Sequence, residues 1–122
     1  MDPEWFFDGH PVGLEVFRRV SAILAAHGPV EVRTTRSQVA FRRRRGFAYL
    51  WLPRMYLGLP AAPVVLSIAS SRRIDSTRFK EVVHPARATW MHHLEVRSVD
   101  ELDDVVAGWL GEAYEAAESG QT

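Results

Sequence analysis

At Gly28-Pro29 the apolar residues change from a helical period to the alternation of a strand, and this change limits the possible folds more than any other feature of the sequence. Before it, apolar residues recur on one helical face, at Val16, Phe17, Val20, Ile23 and Leu24. Glycine followed by proline is a typical end of a helix. The sequence therefore predicts a helix from Val12 to about His27, with a sheet after it.

Five segments after this point are predicted to be strands, because they either alternate with a period of two or are short runs of apolar and aromatic residues. They are residues 30–33, 38–43, 47–52, 64–68 and 87–97. In the third segment, alternation places Phe47, Tyr49 and Trp51 on one face of the sheet. Residues 53–63 are predicted to be a loop whose Met55-Tyr56-Leu57 covers the core or a partner. Residues 70–85 are predicted to be a loop or a broken short helix.

A second helix is predicted near the C-terminus, where Ser98 and Glu101 have the spacing of a capping box and an apolar stripe follows. Two helices and about five mostly antiparallel strands predict an α+β fold. Both helices then pack on one face of the antiparallel sheet, as a two-layer sandwich. The length of 122 residues fits a single domain, residues 1–122, with an irregular N-terminal arm at 1–11 and a frayed tail at 118–122.

Composition and the absence of long apolar segments exclude several structural features. The sequence has no cysteine, which rules out disulfides, cysteine metal ligands and cysteine nucleophiles. The first residues lack the pattern of a signal peptide, and no apolar run approaches the roughly 18 residues that span a bilayer. We therefore expect a prokaryotic cytoplasmic protein with no membrane partner.

Catalytic motifs are missing from the sequence. It contains no glycine-rich phosphate loop, no GxSxG, no HExxH and no acid-x-Lys nuclease string. His92 and His93 are adjacent on a predicted strand, so their rings face opposite ways and cannot both bind one metal ion without a bulge. We expect no catalytic residues, no cofactor and no metal site, and an enzyme is the less favoured class.

Charge is distributed unevenly, although the net charge is zero. Residues 31–97 carry thirteen basic and four acidic residues, a net charge of +9, whereas residues 98–122 carry seven acidic residues and no basic one, a net charge of −7. A basic segment of this size suits an anionic ligand or a nucleic acid. The plainer interpretation, which the sequence favours, is that the acidic helix neutralises the basic sheet.

The first candidate site is a group of arginines, because arginine binds phosphates through paired hydrogen bonds. Its members are Arg33, Arg36, Arg42, Arg43, Arg44, Arg45, Arg72, Arg73 and Arg78. Tyr49 and Trp51 lie one strand away and are of the type that stacks on the bases of single-stranded nucleic acid. Their predicted position beside Phe47, however, favours a place in the core or in an interface.

The second candidate site is the polar connection Thr35, Arg36 and Ser37, whose hydroxyls and guanidinium suit a carboxylate or a phosphate. The alternative is a turn in which these side chains satisfy backbone donors. That alternative is the favoured interpretation of the pattern.

Several short strings along the chain resemble the bacterial family of domain of unknown function 5655. They are Phe7, Gly9 and Pro11; Gly28-Pro29-Val30; Thr35 to Phe41; Gly46-Phe47-Ala48; Arg73-Ile74; His92-His93-Leu94; and Trp109-Leu110-x-x-Ala113-Tyr114. The resemblance covers residues 5 to 116, with Arg36 where the family usually has lysine. It implies no catalytic residue, because the family has no established activity. It also implies a nucleic-acid context, since related domains occur fused to bacterial proteins that resemble DNA-processing systems.

These observations predict a non-catalytic binding or accessory module whose basic face meets an anionic ligand or a nucleic acid. The alternative function is a structural domain that associates with itself as a homodimer. The aromatic residues Trp5, Phe6 and Phe7 and the segment Met55-Tyr56-Leu57 would form the dimer surface.

Overall fold

The computed structural model describes residues 1–54 and 61–118, in which a six-stranded antiparallel sheet carries two long helices on one face. The helices are α1 (Pro3–Phe6), α2 (Pro11–Ala25) and α3 (Asp104–Glu118), and a 3₁₀ turn spans Val99–Glu101. The strands are β1 (Glu31–Thr34), β2 (Val39–Arg42), β3 (Gly46–Trp51), β4 (Val64–Ser70), β5 (Glu81–Ala86) and β6 (Thr89–Val96). The predicted α+β fold with one layer of helices is confirmed.

The strands lie in the order β1-β2-β3-β4-β6-β5, and every neighbouring pair is antiparallel. β1 and β5 are therefore the two edges of the sheet, and β3 and β4 lie at its centre. Helices α2 and α3 contact each other and both contact β4, which places the hydrophobic core between the helix layer and the sheet. Within the described residues, no helix is both long enough and apolar enough to cross a membrane.

The helix layer follows from the apolar stripes of the sequence. On α2 the buried side chains are Val16, Val20 and Leu24, four residues apart, as expected for one helical face. On α3 the larger buried side chains are Val106, Leu110 and Tyr114, with the same spacing. Gly28, which follows α2, has a φ of 149°, a backbone conformation that favours glycine. The predicted helix stop is therefore present.

The strand count differs from the prediction, because residues 70–85 contain β5 in addition to loop. Pro85 lies inside β5 at the point where its register with β6 shifts, between Val83 and Ala86. Proline cannot donate a hydrogen bond to a sheet, and it is tolerated at an edge or at a bulge. Because proline is rare in strands, Pro85 made this segment look like a loop in the sequence. Pro85 also interrupts the hydrogen-bonding edge that β5 forms.

The two ends of the chain also differ from the expected elements. The arm predicted to be irregular contains α1, whose N-terminus is capped by the Asp2 carboxylate accepting the Trp5 amide at 2.8 Å. Ser98 caps the 3₁₀ turn instead of the last helix, and α3 begins after Asp103, whose carboxylate accepts the Val106 amide. Met55-Tyr56-Leu57 lies outside the described residues, as does the predicted tail beyond Glu118.

A bulge on β3 separates residues that strict alternation would place on one face. Arg42 pairs with Gly46 and Phe41 pairs with Ala48, so Phe47 is the extra residue between them. Phe47 consequently turns into the core, with its ring edge-on to Tyr114 of α3. The prediction that Phe47 shares a face with Tyr49 and Trp51 was wrong for this reason.

Two helix glycines differ in the space around them, and this difference predicts opposite effects of alanine. At Gly13 a Cβ would meet the buried Phe7 ring at 2.6 Å, whereas at Gly108 it would meet no atom within 4 Å. We expect Gly13→Ala to lower the free energy of unfolding by about 1–2 kcal/mol through overpacking. Gly108→Ala is expected to raise it by about 0.5–1 kcal/mol through helix propensity. Urea unfolding of both variants checks the pair, and equal stabilities would contradict the close packing at Gly13.

Candidate functional site

The basic turn between β2 and β3 is bound to the C-terminal end of α3. The Arg43 guanidinium donates to the Tyr114 carbonyl at 3.1 Å, pairs with Glu118 at 2.7 Å and lies 3.8 Å from the centre of the Tyr114 ring. Arg45 donates to the Ala116 carbonyl at 3.2 Å. Helix C-termini carry unpaired carbonyls and a partial negative charge, which cations stabilise. Arg43 and Arg45, two of the predicted site residues, therefore bond to α3 and stabilise the fold.

The other two arginines of the basic turn, Arg42 and Arg44, differ in exposure and in their ion pairs. Arg44 is exposed at the tip of the turn, whereas Arg42 pairs with Glu31 at 3.5 Å. An open depression of about 550 Å³ lies beside them, and Glu31 and Glu118 are on its rim. These carboxylates already neutralise its arginines and would repel an anion, so this depression is a poor anion site.

Arg72 and Arg73 follow β4, and like the basic turn Arg72 bonds to α3. Arg72 forms a two-pronged pair with Glu112 of α3, with both N–O distances at 2.8 Å. This bond raises the pKa of Arg72 and holds the pKa of Glu112 below its ordinary value. Arg73 is exposed. Among the described residues, the ion pairs of Arg43, Arg72 and Arg78 join the sheet and its connections to Glu118, Glu112 and Asp103 of the acidic helix region.

The connection Thr35 to Ser37 is a tight turn stabilised by its own hydroxyl. Thr35 Oγ1 accepts the amides of Ser37 and Gln38, each at 3.3 Å, while the Thr35 amide donates to the Gln38 carbonyl at 2.9 Å. The hydroxyl of Thr35 is therefore used within the turn. Arg36 stands exposed at the tip, and no ion pair holds it among the described residues.

The face of the sheet away from the helices carries a row of residues that the sequence did not bring together. Directly paired neighbours across the strands are Arg33, Ala40, Tyr49, Ser67, His93 and Glu81. Opposed residues of paired strands point to the same face. Helices α2 and α3 pack on the other face of the sheet, and we call this side the open face.

A cavity of about 330 Å³ lies in the middle of the open face. Its lining is Gln38, Tyr49, Trp51, Ser67, Met91 and His93. Its volume is at the lower end of the range for small-molecule sites, and its lining of aromatic groups with a few polar atoms is typical of them. Tyr49, Trp51 and His93 are partly exposed, so their rings are accessible to a ligand.

Hydrogen bonds fix the orientation of the polar groups in this cavity. The Trp51 indole Nε1–H donates to Ser67 Oγ at 3.1 Å, and Ser67 Oγ lies 2.7 Å from His93 Nδ1. Ser67 is only 3% exposed, and its hydroxyl is engaged on both sides. Serine–imidazole contacts also occur in hydrolytic sites, but burial keeps Ser67 Oγ out of reach of a substrate, so this contact orients the imidazole.

Burial and nearby charge set the protonation of the open face. Burial lowers the pKa of His93, and the Glu81 carboxylate on β5 partly offsets this effect. Burial raises the pKa of Tyr49, while Arg42 and Arg45 partly offset it. Both groups are therefore neutral near pH 7. In the described residues, no cluster of three or more histidine, aspartate or glutamate side chains has a geometry that would hold a metal ion.

The sequence indicated the aromatic residues of this face but favoured a place for them in the core or in an interface. The cause is the bulge at Phe47, since Tyr49 and Trp51 would be buried if they shared its face. His93 could have been found from alternation, because the buried His92 next to it implies an outward-facing neighbour. Ser67 lies in an apolar strand and carries no signal in the sequence.

Comparison with known proteins gives a match to one family. A model of the family described as Domain of unknown function (DUF5655) matches residues 5–117. No curated protein and no solved structure matches the chain. The matched range contains every residue that lines the cavity of the open face.

Proposed function

Because the chain belongs to this family of domains of unknown function, its role has to follow from its own residues, and we propose that it is a non-catalytic module that binds single-stranded nucleic acid on the open face. The observation that carries this proposal is the position of Tyr49 and Trp51, accessible side by side on the face of the sheet opposite α2 and α3. Aromatic side chains on an antiparallel sheet are a recurring platform for unpaired bases, because every base has a face that stacks.

The spacing of the two rings suits successive stacked groups. Tyr49 and Trp51 are two residues apart on β3, which places them about 7 Å apart along the strand. The β4 residues that pair with them, Ser67 and Val65, are small or medium-sized and leave the rings prominent. A chain of bases lying along β3 would contact both rings.

Cationic groups lie at both ends of this aromatic pair. Arg36 is at the tip of the turn that leads into Gln38, beside Trp51, while Arg42 and Arg45 are close enough to influence the ionisation of Tyr49. A phosphate that flanks a stacked base would meet Arg36, and phosphate contacts supply most of the affinity of sequence-independent binders. Arg44, exposed at the tip of the basic turn, adds a further charge at the Tyr49 end.

The test is the binding of a fluorescent single-stranded oligothymidylate of about ten nucleotides, followed by anisotropy at about 50 mM salt. We expect Tyr49→Ala and Trp51→Ala each to weaken binding about 5- to 100-fold, because stacking contributes about 1–3 kcal/mol per base. Trp5→Ala is the matched control, since Trp5 is 58% exposed on α1 and lies outside the open face.

Electrostatic contacts are tested in the same assay. Arg36→Ala is expected to weaken binding and to reduce the salt dependence, whereas Arg19→Ala, an exposed arginine on α2, is expected to change neither. Binding that is undetectable at about 50 mM salt, or equally strong in the Trp51→Ala variant, would refute the proposal.

Self-association is the second candidate function, and one observation favours it. β1 is an edge strand with a regular register and an exposed surface, and its Val32 side chain is 37% exposed. Two copies could pair along this edge and extend the sheet. Sedimentation equilibrium at high micromolar concentration distinguishes the alternatives, because a dimer that binds no oligonucleotide would replace the nucleic-acid proposal.

A further inference from the structure

Ser67 and Trp51 determine which His93 nitrogen carries the imidazole proton. An indole N–H can only donate, so Ser67 Oγ acts as the acceptor of the 3.1 Å bond from Trp51. The Ser67 hydroxyl proton then needs an acceptor of its own, and the residue is buried on the central strand β4. Buried hydroxyls are rarely left without an acceptor, and His93 Nδ1 lies 2.7 Å away. Ser67 therefore donates to Nδ1.

The consequence is a hydrogen-bond donor at the other ring nitrogen. A neutral imidazole that accepts at Nδ1 carries its proton at Nε2. Among the described residues, Nε2 has no hydrogen-bond partner, and it is not enclosed by the protein. His93 is partly exposed on the wall of the cavity that Trp51 and Tyr49 line. The cavity thus presents an N–H group beside a stacking surface.

From this geometry we infer that the cavity is a subsite for one base with a carbonyl oxygen at C4 of a pyrimidine or C6 of a purine, which accepts a hydrogen bond from His93 Nε2. The inference rests on the proposed function and adds a chemical preference to it. Thymine, uracil and guanine present a carbonyl oxygen at the exocyclic position where cytosine and adenine present an amino group. An amino group opposite an Nε2–H would set two donors against each other, so the site discriminates against amino bases.

Three residues have distinct roles in this subsite. Trp51 provides a stacking ring and fixes Ser67, Ser67 is a positioning residue that fixes the tautomer, and His93 contacts the base. If the tautomer were reversed, Nε2 would become an acceptor and the preference would move to amino bases. The preference therefore depends on Ser67, which itself need not touch the ligand.

The experiment compares oligothymidylate with oligodeoxycytidylate of equal length, two pyrimidine strands that differ in this exocyclic group. Near neutral pH we expect binding of the thymine strand to be about fivefold tighter, the effect of one net hydrogen bond. Ser67→Ala and Trp51→Phe are expected to reduce this ratio to about one, because in both variants the imidazole proton of His93 is no longer fixed on Nε2. Trp51→Phe also keeps a ring on which a base can stack. His93→Gln is likewise expected to reduce the ratio to about one, because an amide can rotate to accept or to donate.

A second measurement reads the tautomer without any ligand. Nitrogen-15 chemical shifts of the His93 ring in the free protein are expected to show the proton on Nε2, and Ser67→Ala is expected to produce a mixture of tautomers. A proton on Nδ1 in the unsubstituted protein, or tighter binding of the cytosine strand, would overturn the inference.

The remaining outcomes separate this inference from the proposed function. If both strands bind equally and Trp51→Ala abolishes both, single-stranded binding stands and the subsite inference fails. A fivefold preference that survives Ser67→Ala also overturns it, because the preference would then come from stacking alone. If neither strand binds, the proposed function and the subsite are both refuted.

Discussion

Replacement of His92 by leucine is expected to lower the free energy of unfolding by about 3–5 kcal/mol. His92 is fully buried, with 0% exposure, between the sheet and the loop that precedes β5. Its Nδ1–H donates to the Ile68 carbonyl at 3.1 Å, and its Nε2 accepts the Ile74 amide at 2.9 Å. Leucine has a similar volume and replaces neither bond, and each buried backbone group that loses its partner costs about 1–3 kcal/mol.

The same bonds make the stability depend on pH in a defined direction. Burial lowers the pKa of His92, and the cations Arg72 and Arg73 lower it further, while the Ile68 carbonyl and Glu112 partly offset these effects. The unfolded chain, with an ordinary pKa near 6.5, therefore takes up the proton first as the pH falls. The contribution of His92 is complete above about pH 6.5. It is lost below that value by at most about 1.4 kcal/mol per pH unit, until the pKa of the folded state is reached.

Urea unfolding at pH 7.5 and at about pH 5.5 measures both the cost of His92→Leu and the pH dependence that His92 causes. The contributions of the other titratable groups can be controlled. His93 also has a lowered pKa, so the comparison is best made with His93→Gln as the common background. The pKa values of Glu112 and Asp103 are lowered as well, but their contributions are lost only when the pH falls below the ordinary values of about 4. His84→Ala, at an exposed stack on Trp90, is the matched control and should cost less than about 1 kcal/mol. A leucine variant that loses under 1 kcal/mol, or keeps the acid sensitivity, would contradict this role of His92.

Among the adjacent arginines of the basic turn, alanine substitutions are expected to have very different costs. Arg43→Ala should lower the free energy of unfolding by about 3 kcal/mol, since Arg43 is only 15% exposed and bonds to a helix carbonyl as a charged donor. Its position over the Tyr114 ring adds a cation–π contact of about 0.5–2 kcal/mol. The partner Glu118 is 60% exposed, so that ion pair adds little.

The neighbours of Arg43 provide the control in the same turn. Arg44→Ala should change the stability by no more than about 0.5 kcal/mol, because the side chain is exposed. Arg45→Ala should lie between the two, with one bond to the Ala116 carbonyl lost. Arg43→Lys is expected to restore only part of the stability, since an ammonium group lacks the planar fork that reaches both partners. Equal costs for Arg43→Ala and Arg44→Ala would show that the basic turn does not cap α3.

The helices, most strands and the side of the sheet that the helices cover follow from the periodicity of the sequence. The apolar stripes of α2 and α3 and the alternation of β6 record which face each element buries. The two departures have local causes that periodicity does not contain. Phe47 is the extra residue of a bulge, and Pro85 marks an irregular edge strand as if it were a loop.

The candidate site was harder to predict than the fold, because its residues come from three strands that are distant in the sequence. Clustering along the chain drew attention to Arg42 and its neighbours, but two of these arginines bond to carbonyls 71 residues away. Conversely, Trp51, Ser67 and His93 are separated by 16 and 26 residues and meet only through strand pairing. No pattern in a single sequence records that pairing order. The hydroxyl-stabilised turn at Thr35 is a local feature, and it is the interpretation that the sequence favoured.

The difference between the two edges of the sheet limits how copies of this chain can assemble. At one edge β1 is regular, whereas at the other Pro85 and the shifted register leave β5 a poor surface for pairing. Growth of a continuous sheet through many copies would need both edges. Pairing of β1 with β1 uses the same surface on each partner and gives a closed twofold assembly. Any association through the sheet edge would therefore stop at two chains and would not extend into a fibre.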